Sequence, residues 1–488
     1  MATTSTQAPT ATGVLDDKID ALHSEGDAAA STHDDWEPKE ERALLRRLDM
    51  RIIPYLCIVY GLSLLDRSNI SAAYIADMDV DLELDVGSRY NLTLLVFFIP
   101  YTLLELPSNL IIRRLGARPW LTTLIVCWGV VVFAMGFVQS WIPLLVLRML
   151  LGAFEAGVLP GAIFVISAWY KTYETAKRVS IFYMFALLAN GFNGIISYGL
   201  SMIRAGNGMF TQGWRWIFII EGAATIVAGA LGPFFLGEFP EKSRWLTPRE
   251  RHIAKERMSA QQGGKSYEHM TLAQSAKALY DWKVLAFCLQ LYVAAGSVYA
   301  LSYFMPIILR NDMGFSYTEA QLMRSPPYTV TVFLSVGSAW LSDRLKIRWP
   351  FLCAHALICT TGLLIMLYAQ VPGARYFGTF LAVFGTQANT PGTLTYGSNQ
   401  TGDPRKKGLV AGAMITFAAL GGITGSTIFR NQDAPRYIPG MWTTISLQIA
   451  YAIGTFFLSR HLAKQNKRAE NGEIPDTLEG VSGFRYAP

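Results

Sequence analysis

The sequence predicts an all-α integral membrane protein, with twelve transmembrane helices in two pseudo-symmetric six-helix bundles. Three observations predict it. Hydrophobic residues make up 51% of the 488 and charged residues only 16%, with mean hydropathy +0.28; soluble domains carry about 25% charged residues. Runs of roughly 20 apolar residues recur along the chain, each long enough to cross a hydrocarbon core of ~30 Å as a helix. They are too long and uniform for barrel strands, so helices must satisfy the backbone in lipid. The basic residues, finally, gather in alternate loops.

Taken in order, residues 1–45 are rich in Ala, Thr, Ser and acids with no apolar core. They read as a disordered cytosolic tail and not as a cleaved signal peptide. Residues 46–236 hold the first six spans, at 51–75, 91–112, 120–139, 143–169, 178–203 and 214–236. Residues 237–281 form a cytosolic linker with an amphipathic helix. Thr247-Pro248-Arg249-Glu250 gives its start, with Thr as N-cap, Pro at the first helical position and Glu three residues after the cap. Trp245 and Leu246 precede it and are placed to anchor it at the membrane surface. Residues 282–460 hold the second six spans, at 284–308, 321–342, 350–370, 375–398, 408–430 and 441–460, and 461–488 are a cytosolic C-terminal tail.

Arg113, Arg114 and Arg118 follow span two, and Lys171, Lys177 and Arg178 follow span four. Arg344, Lys346 and Arg348 follow span eight, and Arg405, Lys406 and Lys407 follow span ten. By the positive-inside rule these loops, both termini and the linker are cytosolic. The net charge of +6 is thus an orientation signal, and nucleic acid is excluded as a partner; the lipid bilayer takes its place. The five cysteines all fall within spans, without disulfide or metal-ligand spacing, and no cofactor is expected. The halves also echo each other: Ser108, Arg114, Leu115 and Arg118 align without gaps on Ser338, Arg344, Leu345 and Arg348, as in parallel-repeat transporters.

Ionisable groups inside the spans are costly by at least ~2.5 kcal/mol each and mark ion or substrate paths. Asp66-Arg67 lies in span one, and Arg148 and Glu155 lie in span four. Arg148 and Glu155 are seven apart, so they share a helix face ~10 Å apart along the axis; they either reach toward each other or bracket a ligand. Asp66 and Arg67 differ by ~100° around the helix, so one faces span four and the other the cavity. Gly152 and Gly157 allow close helix approach, and Pro160-Gly161 can break the helix. A carboxylate paired to Arg loses its partner when a substrate anion takes that Arg, and then binds a proton more readily. Anion and proton thereby travel together. Asn190 and Asn193 in span five, Tyr292 and Tyr299 in span seven, and Gln387 and Asn389 in span ten are candidate substrate contacts. Gln387–Gly392, with Pro391, reads as a broken helix lining a cavity. As a group these residues fit an amphipathic, aromatic substrate. Glu105, Glu221 and His355 are further intramembrane candidates, and His355 has no partner that the sequence names.

The basic turns resemble the loop motif of the major facilitator superfamily, which assigns Arg114, Asp343 and Arg344 to gating; Arg113 stands where the family usually has Asp. More specifically, Leu65-Asp66-Arg67-Ser68-Asn69, Glu105-Leu-Pro107-Ser108-Asn109, Arg148-x3-Gly152-x2-Glu155-x-Gly157, Gly213-Trp214-Arg215-Trp216 through Glu221-Gly222, and Phe239-Pro240 through Thr247 resemble the anion:cation symporter family. The resemblance spans roughly 45–460 and is greatest to the fungal branch of allantoate and nicotinate permeases. It implies the major facilitator fold, proton-coupling roles for Asp66 and Glu155 with Arg148 as coupling partner, and an anion contact at Arg67.

The expected function is a proton-coupled symporter importing a small organic anion, such as a nicotinate-like monocarboxylate, by alternating access. The expected protein is a monomer in the plasma membrane, and not an enzyme. The rival readings are an exporter of a fungal metabolite and a non-transporting nutrient receptor.

Overall fold

The structure is a computed structural model that describes residues 36–205, 207–237, 243, 245–262, 277–475, 477–481 and 483–487. Twelve long helical spans run through the described residues. Spans one to six are Pro38–Ala73, Arg89–Leu115, Ala117–Met135, Trp141–Trp169, Thr172–Ser201 and Gly213–Phe235. Spans seven to twelve are Trp282–Asn311, Ser325–Leu345, Trp349–Tyr368, Pro372–Ser398, Pro404–Ile428 and Ile438–Glu470. Ten are long and apolar enough to cross a membrane. Spans eight and ten match the rest in length, and span ten carries more Ser, Thr, Gln, Asn and Gly than the other spans, as suits a helix that turns a polar face to the protein interior.

The packing repeats with an offset of six. Span one packs on five and six, and span seven on eleven and twelve. Span three packs on six as nine does on twelve, and span two on four as eight does on ten. Between the halves, span two meets eleven and span five meets eight, which is one cross-contact and its exchanged copy. This is the geometry of two parallel-repeat bundles. An even number of spans places both chain ends and the linker at one end, here the proximal end.

Cross-half hydrogen bonds among the described residues gather at the other, distal end. Asn91 Nδ2 donates to the Ser426 and Phe429 carbonyls at 2.7 and 2.5 Å, and Gln321 Nε2 to the Ala72 carbonyl at 3.0 Å. The Tyr90 hydroxyl donates to the Tyr303 carbonyl at 3.3 Å, and the Ser201 and Tyr317 hydroxyls bond at 2.6 Å. Glycines bring the backbones together there. A Cβ on Gly194 would stand 2.1 Å from the Gln321 carbonyl oxygen, and one on Gly422 would stand 2.1 Å from the Phe98 ring. The distal seam is closed.

Several expectations need correction. Residues 1–35 lie outside the described residues, but 38–45, expected in a disordered tail, are helical turns of span one. Glu40 caps that start by accepting from the Glu37 N–H at 3.2 Å. The extension is held by the linker helix, Pro248–Gln262: Arg47 pairs with Glu250 at 2.9 Å, and buried Arg257 bonds Glu41 at 2.5 Å and Glu174 at 2.7 Å. That helix starts as predicted, with the Thr247 hydroxyl and Glu250 carboxylate exchanging hydrogen bonds with each other's backbone N–H. Trp245 anchors to protein, packing on Trp169 at 5.9 Å beneath the Arg51 guanidinium at 4.6 Å. Residues 238–242 and 244 of the motif after span six lie outside the described residues.

Span four breaks at Ala156–Gly157, between Trp141–Glu155 and Val158–Trp169, and not at Pro160-Gly161. Pro160 falls in the first turn of the resumed helix, where a missing N–H costs nothing. Gly157 is required at the break because a Cβ would overlap the Ser108 hydroxyl at 1.9 Å. Span ten, in contrast, is continuous through Pro391. The Thr393 and Thr395 hydroxyls bond back to the Asn389 and Pro391 carbonyls at 2.7 and 2.8 Å, which supports the helix around the proline.

Candidate functional site

The centre of the site is Arg67, buried in span one. Its Nη2 donates to Glu155 Oε1 at 2.6 Å, and its Nη1 donates to the Tyr299 hydroxyl at 2.8 Å. Glu155 stands on the last turn before the break in span four, and Tyr299 comes from span seven in the other half. The guanidinium lies 5.1 Å from the Phe97 ring centre and 5.0 Å from that of Tyr101, both in span two. Such cation–π contacts strengthen when desolvated. Glu155 Oε1 also accepts from the Ser63 hydroxyl, one turn before Arg67, while Oε2 has no partner. The pair therefore has an unspent acceptor on one side and an aromatic wall on the other.

Asp66 faces away, as a neighbour 100° around a helix must. Its Oδ2 accepts from Trp128 Nε1 at 2.8 Å and from the Thr225 hydroxyl at 3.0 Å. Asn69 Nδ2 lies 3.4 Å from Asp66 Oδ1 and donates to Glu221 Oε2 at 2.6 Å. Two buried carboxylates thus share one amide between spans one, three and six. Neither forms an ion pair among the described residues.

Arg148 does not bond Glu155. It is buried in span four, and its Nε and Nη2 have no hydrogen-bond partner. Arg67, on the neighbouring helix, takes the place that the seven-residue spacing offered to Arg148. Arg148 remains within electrostatic reach of Glu155, Asp66, Tyr90 and Tyr303.

Asn190 and Asn193 form a separate cluster around Ser68, the residue after Arg67. The Ser68 hydroxyl donates to Asn190 Oδ1 at 3.0 Å and accepts from Asn193 Nδ2 at 2.6 Å. Tyr292 bonds the Thr424 hydroxyl between spans seven and eleven, away from Arg67. Gln387 and Asn389 are buried in span ten, and no hydrogen bond ties them to the Arg67 cluster among the described residues. The residues expected at the gate lie exposed at the proximal end. Asp343 accepts from Arg348 at 2.6 Å within its own half, Arg344 lies 5.3 Å from the Trp340 ring, and Arg114 is exposed at the end of span two. Among the described residues, none of the three bonds across the halves.

Sequence reasoning missed Ser63, Phe97, Tyr101, Trp128, Thr225 and Arg324. Arg324, fully buried at the start of span eight, satisfied the same criterion as Arg67, a charge inside an apolar run, but lay near the run's edge. The aromatic and hydroxyl residues carry no such signal, because nothing distinguishes them from packing until the helices are placed. His355 has a partner after all, the Ser338 hydroxyl at 2.7 Å. Glu105, buried in span two, accepts weakly from Thr416 of span eleven at 3.5 Å.

Residues 56–426 match the family model described as Major Facilitator Superfamily. The high-affinity nicotinic acid transporter of Saccharomyces cerevisiae is 30% identical over 449 residues, 91% of this chain and 82% of that protein. The MFS-type transporter cnsO of Penicillium expansum is 31% identical over 444 residues, 88% of this chain and 84% of its own. Among solved structures, a bacterial homologue of the human lysosomal transporter Spinster, inward-facing and unoccupied, superposes with a TM-score of 0.64 at 18% identity, covering 86% of this chain and 98% of that one. The xylose transporter XylE from E. coli, partially occluded and inward-open, gives 0.61 at 16% identity, covering 83% and 99%. These two likenesses concern the fold.

Proposed function

The chain belongs to the major facilitator superfamily, a family of membrane transporters, and from that premise we propose that it is a proton-coupled symporter importing a small organic anion, such as a nicotinate-like monocarboxylate. The observation that carries the reading is the Arg67–Glu155 pair at 2.6 Å, with Tyr299 of the opposite half on the same guanidinium. The relative named as a nicotinic acid transporter supports the anion class. The aromatic wall of Phe97, Tyr101 and Tyr299 suits a flat acid.

In this reading a substrate carboxylate displaces Glu155 from Arg67, because a guanidinium forms its strongest bonds with carboxylates. Glu155 keeps Ser63 but loses its cation, and a buried carboxylate without a counter-charge takes up a proton. Arg148 sits on the same span to balance the charge while the exchange occurs, and Asp66 is the second proton site, behind Arg67. Anion and proton together leave the cavity's net charge unchanged, whereas the anion alone would add a negative charge that is costly to move across the membrane. Alternating access follows from opening the distal seam and closing the proximal end, where Arg114, Asp343 and Arg344 act as gate residues. The protein works as a monomer of the anion:cation symporter branch in the plasma membrane, with its termini and the proximal end in the cytosol.

The test is uptake into liposomes holding the purified protein, under an imposed pH gradient, with nicotinate, pantothenate, allantoate and sugar acids as substrates. Accumulation of a carboxylate that collapses when the gradient is removed is expected. Carboxylate movement indifferent to the gradient would refute the coupling.

A further inference from the structure

We propose that Arg324 is a second anion contact, supplied by the opposite half, and that the substrate carries a second acceptor group to meet it. The inference rests on the organic-anion reading above and narrows its substrate class. Arg324 stands where span eight begins, at the closed distal seam, and is fully buried. Its Nη2 reaches Asn190 Oδ1 only at 3.4 Å, beyond the usual N–H···O range of about 2.7–3.2 Å. Nε and Nη1 have no partner, and the buried hydroxyl of Ser325, the next residue, is also unbonded. Arg324 forms no ion pair among the described residues.

A guanidinium keeps its charge in any protein environment, and a buried charge is costly unless paired and hydrogen-bonded. The polar groups around this one are Asn190, Asn193, Ser68, Gln321 and the Tyr328 hydroxyl. All are neutral. The corner therefore holds a cation with two unspent nitrogens, a free hydroxyl beside it, and no paired anion among the described residues. A carboxylate is the group that matches a guanidinium fork.

Arg67 and Arg324 differ in a way that assigns them separate tasks. Arg67 has both terminal nitrogens bonded, to Glu155 and Tyr299, so an anion must compete there. Arg324 is uncommitted. The two are joined through Ser68, which follows Arg67 in span one and bonds the same Asn190 oxygen that Arg324 approaches. A ligand with one carboxylate meets the second half only at Tyr299. A ligand with a second acceptor touches both halves and draws them together, so its second group adds affinity through closure.

The experiment uses the full-length protein in liposomes and a ring-matched series: benzoate with one carboxylate, nicotinate with an added ring nitrogen, and isophthalate with two carboxylates. Affinity should rise along the series, by about tenfold or more between its ends, the scale of one charge-assisted hydrogen bond. Arg324→Gln should reduce that spread to about threefold or less by weakening isophthalate more than benzoate, and Arg324→Lys should restore part of it. A flat series in the unmodified protein overturns the proposal, as does a spread that survives Arg324→Gln, or an equal loss for all three acids. If benzoate and nicotinate enter with the pH gradient but the spread ignores Arg324, only the second contact fails. If none of the three enters, the second contact fails as stated, and if no acid of the wider panel enters either, the organic-anion reading fails with it.

Discussion

At the scale of single residues, the site depends on which charges find partners. Glu155→Gln keeps the shape and the Ser63 bond but cannot release or bind a proton. It should abolish gradient-driven accumulation while retaining exchange of labelled for unlabelled substrate; accumulation that still follows the gradient would remove Glu155 from the coupling. Asp66 and Glu221 share the Asn69 amide without a bonded cation, so two negative charges there repel. Glu221→Gln should therefore leave Tm unchanged or raise it by a few degrees, whereas Glu221→Ala strips Asn69 of its acceptor and should cost about 1–3 kcal/mol. Thermal unfolding of the purified protein compares them, and an equal loss in both would contradict the repulsion. Asp66, Arg67, Arg148 and Glu155 were legible because charges stand out in apolar runs. Their partners were not. Sequence spacing gives direction around a helix but not which neighbouring helix comes within reach, and so it offered Glu155 to Arg148 when Arg67 holds it.

At the scale of elements, the positions of the spans were legible, but the proximal extensions of spans one and twelve and the interruptions were not. Proline is a visible helix breaker, yet Pro160 and Pro391 both sit inside tolerated helix, the first in an opening turn and the second among threonines that bond back. The actual break falls at Gly157, where the neighbouring Ser108 leaves no room for a Cβ, a cause that lies in another helix. The same kind of contact closes the distal seam. Gly422→Ala would drive a methyl group into the Phe98 ring, which is itself buried and edge-packed on Tyr299 at 4.8 Å. Overpacking of this kind costs roughly 1–3 kcal/mol, enough to shift a two-state balance by about 5–150-fold. Spin labels across the seam should report a wider distal end in Gly422→Ala, and likewise in Gly194→Ala. Unchanged distances would mean that the seam yields elsewhere.

At the scale of the whole molecule, the twelve spans and the repeat were readable from hydropathy and from one pair of matching turns, because lipid imposes helix length and orientation so strictly. The ordering of the chain ends was not readable, since polar composition says nothing of what a segment docks on. Span twelve runs on to Glu470, and beyond it Glu479 bonds both Lys283 of span seven and Lys406 of span eleven, while Tyr486 receives a bond from Lys283 at 2.6 Å. Burial works to raise the Glu479 carboxyl, but the two ammonium groups outweigh it and hold it below the usual carboxylate range. Its contribution is thus complete above the ordinary value near 4.5 and is lost as pH falls through the lowered one. Glu479→Gln should release the segment at neutral pH, seen as faster proteolysis after residue 470, with the unmodified chain matching it only in strong acid. The two ends of the molecule also differ in what fastens them. Among the described residues the distal seam is held mostly by glycine contacts and neutral hydrogen bonds, with Arg310 bonding the Ile75 carbonyl and lying 4.0 Å from Asp77, and Arg324 reaching Asn190. The proximal linker helix is held by charge, through Glu40, Glu41, Arg47, Arg249, Glu250 and Arg257. Ionic strength therefore acts mainly on one end: concentrated salt loosens the linker's grip on the first bundle and dilute salt tightens it, while the distal closure changes little.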